Sequence, residues 1–305
     1  MRGCRTAQRG YVFLWALFFG VFSWAARSSL TPASESRTLA VYPPQVPQGG
    51  LLLAVLREPG VDAPPVGEAA FLPQPVPFHR YRQLWVALVG VSYRTAPGRY
   101  TLSLRLPAGS EERSWTAEVE VLPRSFPVEE LSLPPAQQTL RSPDRQKEDA
   151  ARLQAARAAS APSPLWEGPF LLPVSGRFKT GFGAVRRVNG WETDRHSGLD
   201  IAAPAGTPVR AANAGIVRLA AHLNASGQTV LLDHGWGLTT SYSHLGRLLV
   251  REGQAVGKGE VIGEVGSTGV ATGPHLHWAV SLHGVFVDPA LLLAADPLAG
   301  LDQVQ

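Results

Sequence analysis

The chain has 305 residues, 45% of them hydrophobic and 17% charged, which is ordinary for a protein that packs a core and is long enough for about two domains. Without Arg2, Arg5 and Arg9 the 28 basic residues become 25 against 24 acidic ones, a formal charge of +1. This charge gives no support for nucleic-acid binding, and the single cysteine, Cys4, excludes an intrachain disulfide.

Residues 1–26 have the pattern of an export signal. Three arginines precede an uncharged apolar stretch from Tyr11 to Phe22, and small residues follow it, which predicts cleavage near Ala25 or Ala26. The protein is therefore predicted to be exported to the periplasm or cell envelope, with no other membrane contact. The alternative is a retained anchor, although the apolar stretch is shorter than the roughly 20 residues of a spanning helix. Cys4 precedes this stretch and is not placed for lipid attachment, so a cleaved chain has no cysteine to bind a metal.

Residues 38–123 are predicted to form an accessory β-sandwich. Apolar and polar residues alternate from Tyr100 to Leu106 and from Trp115 to Val121, the period of strands with one buried face. Continuous apolar runs at residues 51–56 and 84–91 are typical of strands in the middle of a sandwich. The turn that ends at Tyr100 resembles the tyrosine corner of immunoglobulin-like folds. No catalytic constellation is found here, so a spacer or positioning role is favoured.

Residues 124–164 are predicted to be a linker with one helix, from Asp144 to Ala159, capped by Ser142 or Asp144. Its apolar positions are few, which indicates a mostly exposed helix laid across the following domain.

Residues 165–293 are predicted to form a second, antiparallel β-domain, with a tail at residues 294–305. Its predicted strands are residues 209–211, 215–220, 229–233, 239–244, 261–265 and 275–282. Glycines at residues 253–263 predict a tight hairpin shared with lipoyl- and biotin-carrier folds.

Five side chains able to bind a metal or move protons lie between residues 195 and 278: His196, Asp200, His244, His275 and His277. Alternate side chains of an extended strand share a face. His275 and His277 therefore point to one side, as do His196 and Asp200 if the chain is extended there. Three of the five suffice for a metal site and two remain for proton transfer, but the spacing alone leaves open which are which.

Neutral imidazoles with a carboxylate and no thiolate form a donor set that suits zinc. A catalytic zinc takes three protein ligands and leaves one position for water, whose pKa it lowers. Histidine titrates in the range needed to accept or donate the protons of a hydrolysis. The pattern therefore predicts a hydrolytic zinc site, with one ion per chain.

Residues 170–293 resemble the lysostaphin-type zinc metallopeptidases, which cut peptide cross-bridges in bacterial cell walls. The shared motifs are Gly181-Phe182-Gly183, Pro204-Ala205-Gly206-Thr207-Pro208-Val209, Ala214-Gly215-Ile216-Val217, Tyr242-Ser243-His244-Leu245, Val265-Gly266-Ser267-Thr268-Gly269, Gly273-Pro274-His275-Leu276-His277-Trp278 and Val287-Asp288-Pro289. The segment from Ala184 to Arg195 departs from a minimal version of the pattern, because it is longer and more polar. Small β-domains like that of residues 38–123 also resemble the amino-terminal modules of some peptidases in this family.

The resemblance implies that His196, Asp200 and His277 bind the zinc ion and that His244 and His275 are the catalytic pair that handles protons. It further implies an endopeptidase that hydrolyses peptide bonds of peptidoglycan stems or cross-bridges, with peptidoglycan as the partner. The oligomeric state and the bond that is cut are left open.

Two other functions are weighed. One is a non-catalytic homologue that binds the wall or activates a partner hydrolase, which usually has lost metal ligands. The other is a carrier domain modified at Lys258, which leaves the histidines unexplained. The remaining histidines, His79, His222, His234 and His283, are predicted to be structural. Arg186 and Arg187 are candidates for contacting a substrate carboxylate or, as is commoner for arginines in turns, only solvent.

Overall fold

A computed structural model describes residues 38–58, 64–72, 74–108 and 111–303. The predicted export signal and Cys4 lie outside these residues. Within them, strands far outnumber helices, which confirms the prediction of a mainly β protein. Of the helices in this part of the chain, none is long and apolar enough to cross a membrane.

The amino-terminal half forms two antiparallel sheets around one hydrophobic core, with a single parallel pairing at β2. Its strands are β1 (Thr38–Tyr42), β2 (Gln45–Pro47), β3 (Leu51–Arg57), β4 (Val66–Ala69), β5 (Val76–Pro77), β6 (His79–Tyr81), β7 (Leu84–Gly90), β8 (Gly98–Ala108) and β9 (Glu111–Leu122). One sheet has the order β1-β3-β7-β6 and the other the order β2-β9-β8-β4-β5. The Tyr100 hydroxyl donates to the Ala96 carbonyl oxygen at 2.7 Å, the bond expected of a tyrosine corner. The immunoglobulin-like assignment and the predicted domain boundaries stay predictions.

The continuous apolar runs of β3 and β7 contact two different cores. Leu52, Ala54 and Leu56 lie inside the sandwich, whereas Leu53 and Val55 pack with the core of the carboxy-terminal half. In β7 the same division places Trp85, Ala87 and Val89 on one side and Val86 and Leu88 on the other. A strand buried on both faces is apolar at every position. The four-stranded sheet is therefore a wall shared by both halves of the chain.

The segment between the halves contains a strand that the sequence pattern did not predict. That strand is β10 (Val128–Leu131), and it is followed by two helices, α1 (Pro135–Thr139) and α2 (Pro143–Ala158). Pro143 occupies the first position of α2, and Ser142 is its cap residue but makes no side-chain capping bond. Leu153 and Ala156 of α2 pack on the carboxy-terminal sheet. The buried Asp149 carboxylate accepts bonds from the backbone N–H groups of Asn224 and Ala225, at 2.9 and 2.8 Å.

The carboxy-terminal half is built on one large antiparallel sheet. Its elements are β11 (Arg177–Thr180), β12 (Val185–Val188), β13 (Trp191–Arg195), β14 (Gly198–Ala202), β15 (Pro208–Arg210), β16 (Gly215–Leu223), β17 (Gly227–Asp233), β18 (Leu238–Leu248), β19 (Ala255–Val256), β20 (Val261–Val265), β21 (Leu276–Leu282), β22 (Val285–Val287), α3 (Ala290–Ala294) and the 3-10 helix Ala299–Gln303. The main order is β11-β14-β21-β18-β17-β16-β19. A separate small sheet pairs β10, β12 and β13. All six strands predicted for this half are present within two residues of their predicted starts.

His234 is a buried histidine whose polar contacts are satisfied within the core. Its Nδ1 lies 2.7 Å from the Ala214 carbonyl oxygen and donates to it, since a carbonyl only accepts. Its Nε2 lies 2.8 Å from Thr240 Oγ1. Burial lowers its pKa from the ordinary 6.5 to about 4, although the Ala214 carbonyl and Asp233 favour the charged form. The structural role predicted for this residue agrees with these contacts.

Acid should therefore destabilise the fold through His234. Because its folded pKa lies below the unfolded value, this contribution to stability is complete above pH 6.5 and is lost as the pH falls towards 4. One such group changes the free energy of unfolding by about 1.4 kcal/mol per pH unit in that window, or about 3 kcal/mol in all. The free energy of unfolding, measured with urea at several pH values from 7 to 4.5, should depend less steeply on pH in His234→Asn than in the parent. Asparagine keeps a hydrogen-bond donor towards the Ala214 carbonyl. Equal slopes for parent and variant would contradict this.

Candidate metal centre

Two neighbouring strands position the candidate ligands. In the antiparallel pair β14 and β21, Asp200 lies directly opposite His277. Leu199 and Ile201, on either side of Asp200, point into the hydrophobic core, so the carboxylate faces the other side, as strand parity predicts. Gly198 lets these strands approach closely, because a Cβ there would clash with the Trp278 carbonyl oxygen.

His196 precedes β14 and is held by the Gly181-Phe182-Gly183 motif. Its backbone N–H donates to the Ala184 carbonyl, and its carbonyl accepts from Gly183, both at 2.8 Å. The ring Nδ1 lies 2.9 Å from the Gly181 carbonyl oxygen. A carbonyl only accepts, so Nδ1 carries the proton and the neutral ring presents a lone pair at Nε2.

Three atoms that could bind a metal ion, called the donor atoms below, lie close together. His196 Nε2 lies 2.8 Å from Asp200 Oδ1, His277 Nδ1 lies 2.7 Å from the same oxygen, and the two nitrogens are 2.9 Å apart. The other ring nitrogen of His277, Nε2, lies 3.3 Å from Ser197 Oγ, which can accept a hydrogen bond from an N–H group there. With that tautomer, three lone pairs face one another, and such a buried arrangement is stabilised by a cation. The donor set of two imidazoles and one carboxylate fits zinc.

The charge of the site depends on burial and on the close contacts. Burial alone would raise the pKa of Asp200, but the two imidazoles that contact its carboxylate, His196 and His277, hold that pKa well below its usual range. Burial lowers the pKa of His277 to about 4, despite the opposing effect of Asp200. At neutral pH the site therefore contains an ionised carboxylate and a neutral His277, the protonation states that metal binding requires.

His244 and His275 form a second pair beside these three residues. Their ring centroids are 4.8 Å apart, and His275 Nε2 lies 3.8 Å from Asp200 Oδ1. Each donates from Nδ1 to a backbone carbonyl at 2.8 Å, that of Thr268 for His244 and that of Gly273 for His275. Both rings are thereby fixed, with Nε2 unprotonated in the neutral form. Burial, then His275 and His277, lower the pKa of His244 to about 3.

The backbone at His244 is unusual. Its φ of 62° lies in the left-handed region, which non-glycine residues rarely occupy and which recurs at functional sites. The loop that holds its ring is tightly packed, since a Cβ on Gly269 would clash with the Gly227 backbone nitrogen. Thr268 adds a side-chain bond to the Leu245 carbonyl oxygen at 2.7 Å. The Gly-Ser-Thr-Gly motif therefore fixes the carbonyl that orients His244.

Comparison with known proteins identifies the family. The model of peptidase family M23 matches residues 194–289. A crystal structure of a candidate peptidase M23 from Pseudomonas aeruginosa is 33% identical, covers 82% of this chain and 95% of that one, and superposes with a TM-score of 0.59. The chain belongs to peptidase family M23. This confirms the family predicted from the motifs.

Two relatives with named activities match a part of this chain. The DD-carboxypeptidase/endopeptidase Mpg of Neisseria meningitidis serogroup B is 43% identical over 102 residues, which are 33% of this chain and 24% of the relative. The peptidoglycan DD-endopeptidase ShyA of Vibrio cholerae is 42% identical over 89 residues, 29% of this chain and 21% of the relative. The matches thus span about a quarter of the length of these relatives.

All five predicted site residues lie inside the M23 match and are brought together. Of the other histidines, His234 is buried in the core and His79 stacks on Trp236 at 4.9 Å, and neither belongs to the cluster of His196, Asp200 and His277. Lys258, the residue required by the carrier alternative, donates to the carbonyl oxygens of Glu167 and Pro169 at 3.0 and 2.6 Å. Its amino group therefore ties a loop to the domain.

Sequence reasoning missed the partners of the two arginines that precede the M23 match. Arg186 Nη2 lies 3.1 Å from Asp200 Oδ2, and Arg186 Nε lies 3.2 Å from Glu129 Oε2. Arg187 Nη1 lies 3.4 Å from Glu130 Oε1 at the surface. The expected contact of Arg186 with solvent or with a substrate carboxylate is thus replaced by contacts within the protein. The only sequence signal was the complementary charge of residues 129–130 and 186–187.

Proposed function

We propose that this chain is an exported, zinc-dependent endopeptidase that hydrolyses peptide bonds in bacterial peptidoglycan stems or cross-bridges. The observation that carries the proposal is the convergence of His196 Nε2, Asp200 Oδ1 and His277 Nδ1 beside two further oriented histidines. Zinc in such a site supplies Lewis acidity, which activates water and polarises a carbonyl group. One ion per chain would be held by these three residues.

The protein's own residues supply the proton transfers. His244 and His275 each have Nδ1 committed to a backbone carbonyl, so Nε2 is the atom that accepts a proton. Once protonated, the same Nε2 can return the proton to the leaving amine or donate a hydrogen bond to a developing oxyanion. The low pKa of His244, caused first by burial, keeps its Nε2 unprotonated at neutral pH.

The relatives support the substrate and the location. ShyA is named a peptidoglycan DD-endopeptidase, and Mpg a DD-carboxypeptidase/endopeptidase. A substrate in the cell envelope agrees with the export signal predicted at residues 1–26. A wall-binding or hydrolase-activating role without catalysis would need neither the three donor atoms nor the two oriented rings. We therefore favour catalysis.

Digestion of defined peptidoglycan tests the proposal. The purified protein loaded with zinc should release fragments whose masses and new amino groups correspond to cleaved peptide bonds, with the glycan strands intact. A chelator should stop the reaction and added zinc should restore it. A protein that holds stoichiometric zinc but releases no new amino groups would be an activator or a binding module, and the enzyme proposal would fail.

A further inference from the structure

The carboxylate of Asp200 has contacts on both sides. Oδ1 faces His196 and His277, at 2.8 and 2.7 Å, whereas Oδ2 faces Arg186 Nη2 at 3.1 Å. The Asp200 side chain is only 8% exposed, so water cannot orient it freely. A buried carboxylate is costly unless its oxygens are paired. Arg186 therefore holds Oδ2 on the side of the carboxylate away from His196 and His277.

Arg186 is itself anchored from the segment between the two halves. Glu129 Oε2 lies 3.2 Å from Arg186 Nε, and Glu129 Oε1 accepts from the Thr180 hydroxyl at 2.6 Å. Thr180 lies directly across from Asp200 in the pair β11 and β14. The chain of contacts from Thr180 through Glu129 and Arg186 to Asp200 thus closes into a ring.

The backbone brings these residues together. Strand β10 pairs in parallel with β12, and Glu129 is the register partner of Arg186. The Arg186 and Glu129 side chains are 23% and 24% exposed. The neighbouring pair, Glu130 and Arg187, has the same charges and strands but is 62% and 47% exposed and does not contact Asp200. The chain therefore contains a matched control one residue away.

We propose that Arg186 and Glu129 are positioning residues of the metal centre. Glu129 anchors the guanidinium, and the guanidinium holds the Asp200 carboxylate with Oδ1 towards the metal. The proposal rests on the proposed function, because it assumes that Asp200 is a ligand. Charge and orientation make opposite predictions for removal of Arg186. Loss of a positive charge would tighten cation binding, whereas loss of orientation would weaken it, typically by about 10–100-fold.

Zinc affinity measured by competition with a chromophoric chelator separates these effects. In the full protein, Arg186→Ala should bind zinc about 10–100-fold more weakly than the parent. Arg186→Lys should recover part of the loss. Glu129→Gln should lose at least about threefold, because a charge-assisted bond becomes a neutral one. Arg187→Ala and Glu130→Gln should match the parent. Visible absorption of bound Co²⁺ should change in Arg186→Ala and not in Arg187→Ala.

Each result decides the proposal. Zinc binding by Arg186→Ala as tight as the parent's, or equal losses in Arg186→Ala and Arg187→Ala, would overturn it. If Arg186→Ala does not fold, as judged by thermal unfolding without metal, the near-isosteric Glu129→Gln decides by the same comparison with Glu130→Gln. A parent protein that binds no zinc would overturn the proposed function, and this proposal with it. If the parent binds zinc but the variants do not behave as expected, only the positioning roles of Arg186 and Glu129 are contradicted.

Discussion

Replacing His277 with alanine is expected to abolish both metal retention and hydrolysis. The substitution removes Nδ1, one of the three converging donors, and leaves Asp200 Oδ1 with only His196 at 2.8 Å. Two ligands from a site of this kind hold zinc poorly. Since a catalytic metal ion typically supplies several kcal/mol of transition-state stabilisation, hydrolysis should fall by at least about 10³-fold. Metal content of the purified protein and the release of amino groups from peptidoglycan are the two measurements.

The matched control is His222→Ala. His222 is an exposed histidine of β16, and its ring has no part in the cluster. This variant should keep the zinc content and the rate of hydrolysis of the parent. That result would show that the loss of a histidine outside the cluster does not impair zinc binding or hydrolysis. If His277→Ala cleaved cell walls at the parental rate, the assignment of His277 as a ligand would be wrong.

The accessory strands show what local pattern can and cannot predict. Alternation in β8 and β9 correctly predicted one buried face, since Leu102 and Leu104 are both fully buried. The continuous runs of β3 and β7 correctly predicted buried strands, but not that Leu53 and Leu88 would pack on the other half of the chain. An apolar run shows that both faces are covered; it carries no information about what covers each face.

The five site residues could be selected from the sequence because four of them form two short-spaced pairs, His196 with Asp200 and His275 with His277, and because the motifs around all five resemble those of one family. Asp200 and His277 are 77 residues apart, yet both belong to adjacent strands of one sheet. The resemblance of the surrounding motifs implied that they share a metal site, but not that these two strands pair. The orientation of the rings was not predictable. It depends on the backbone carbonyl groups of Gly181, Thr268 and Gly273. Every residue has such a group, so the sequence does not show which ones contact the rings.

The contact between Glu129 and Arg186 was beyond the sequence for a different reason. These residues are 57 apart and meet through a parallel pairing of two four-residue strands. Such short strands have too few positions for a period to be recognised, and the register of a parallel pair is not set by a connecting turn. Charge complementarity alone allows Glu129 to meet Arg187 as readily as Arg186. Only the fold distinguishes the half-buried pair from the exposed one.

Alanine at His244 or His275 is expected to separate proton transfer from metal binding. Neither ring is among the three converging donors, so zinc content should stay at the parental level. Hydrolysis should fall by about 10²–10⁴-fold, the usual contribution of a general acid or base. The two single variants and the double variant should be measured together for zinc content and for kcat/KM on a soluble peptidoglycan fragment.

The double variant decides whether the two rings act as a unit. Their centroids are 4.8 Å apart, and each presents Nε2 after Nδ1 has bonded to a carbonyl. Groups that serve one proton-transfer sequence are strongly non-additive, so the double variant should be little slower than the slower single variant. Fully multiplicative losses would show that the rings act in independent steps. A loss of zinc in either single variant would instead make that histidine a ligand and contradict the division of roles proposed for this site.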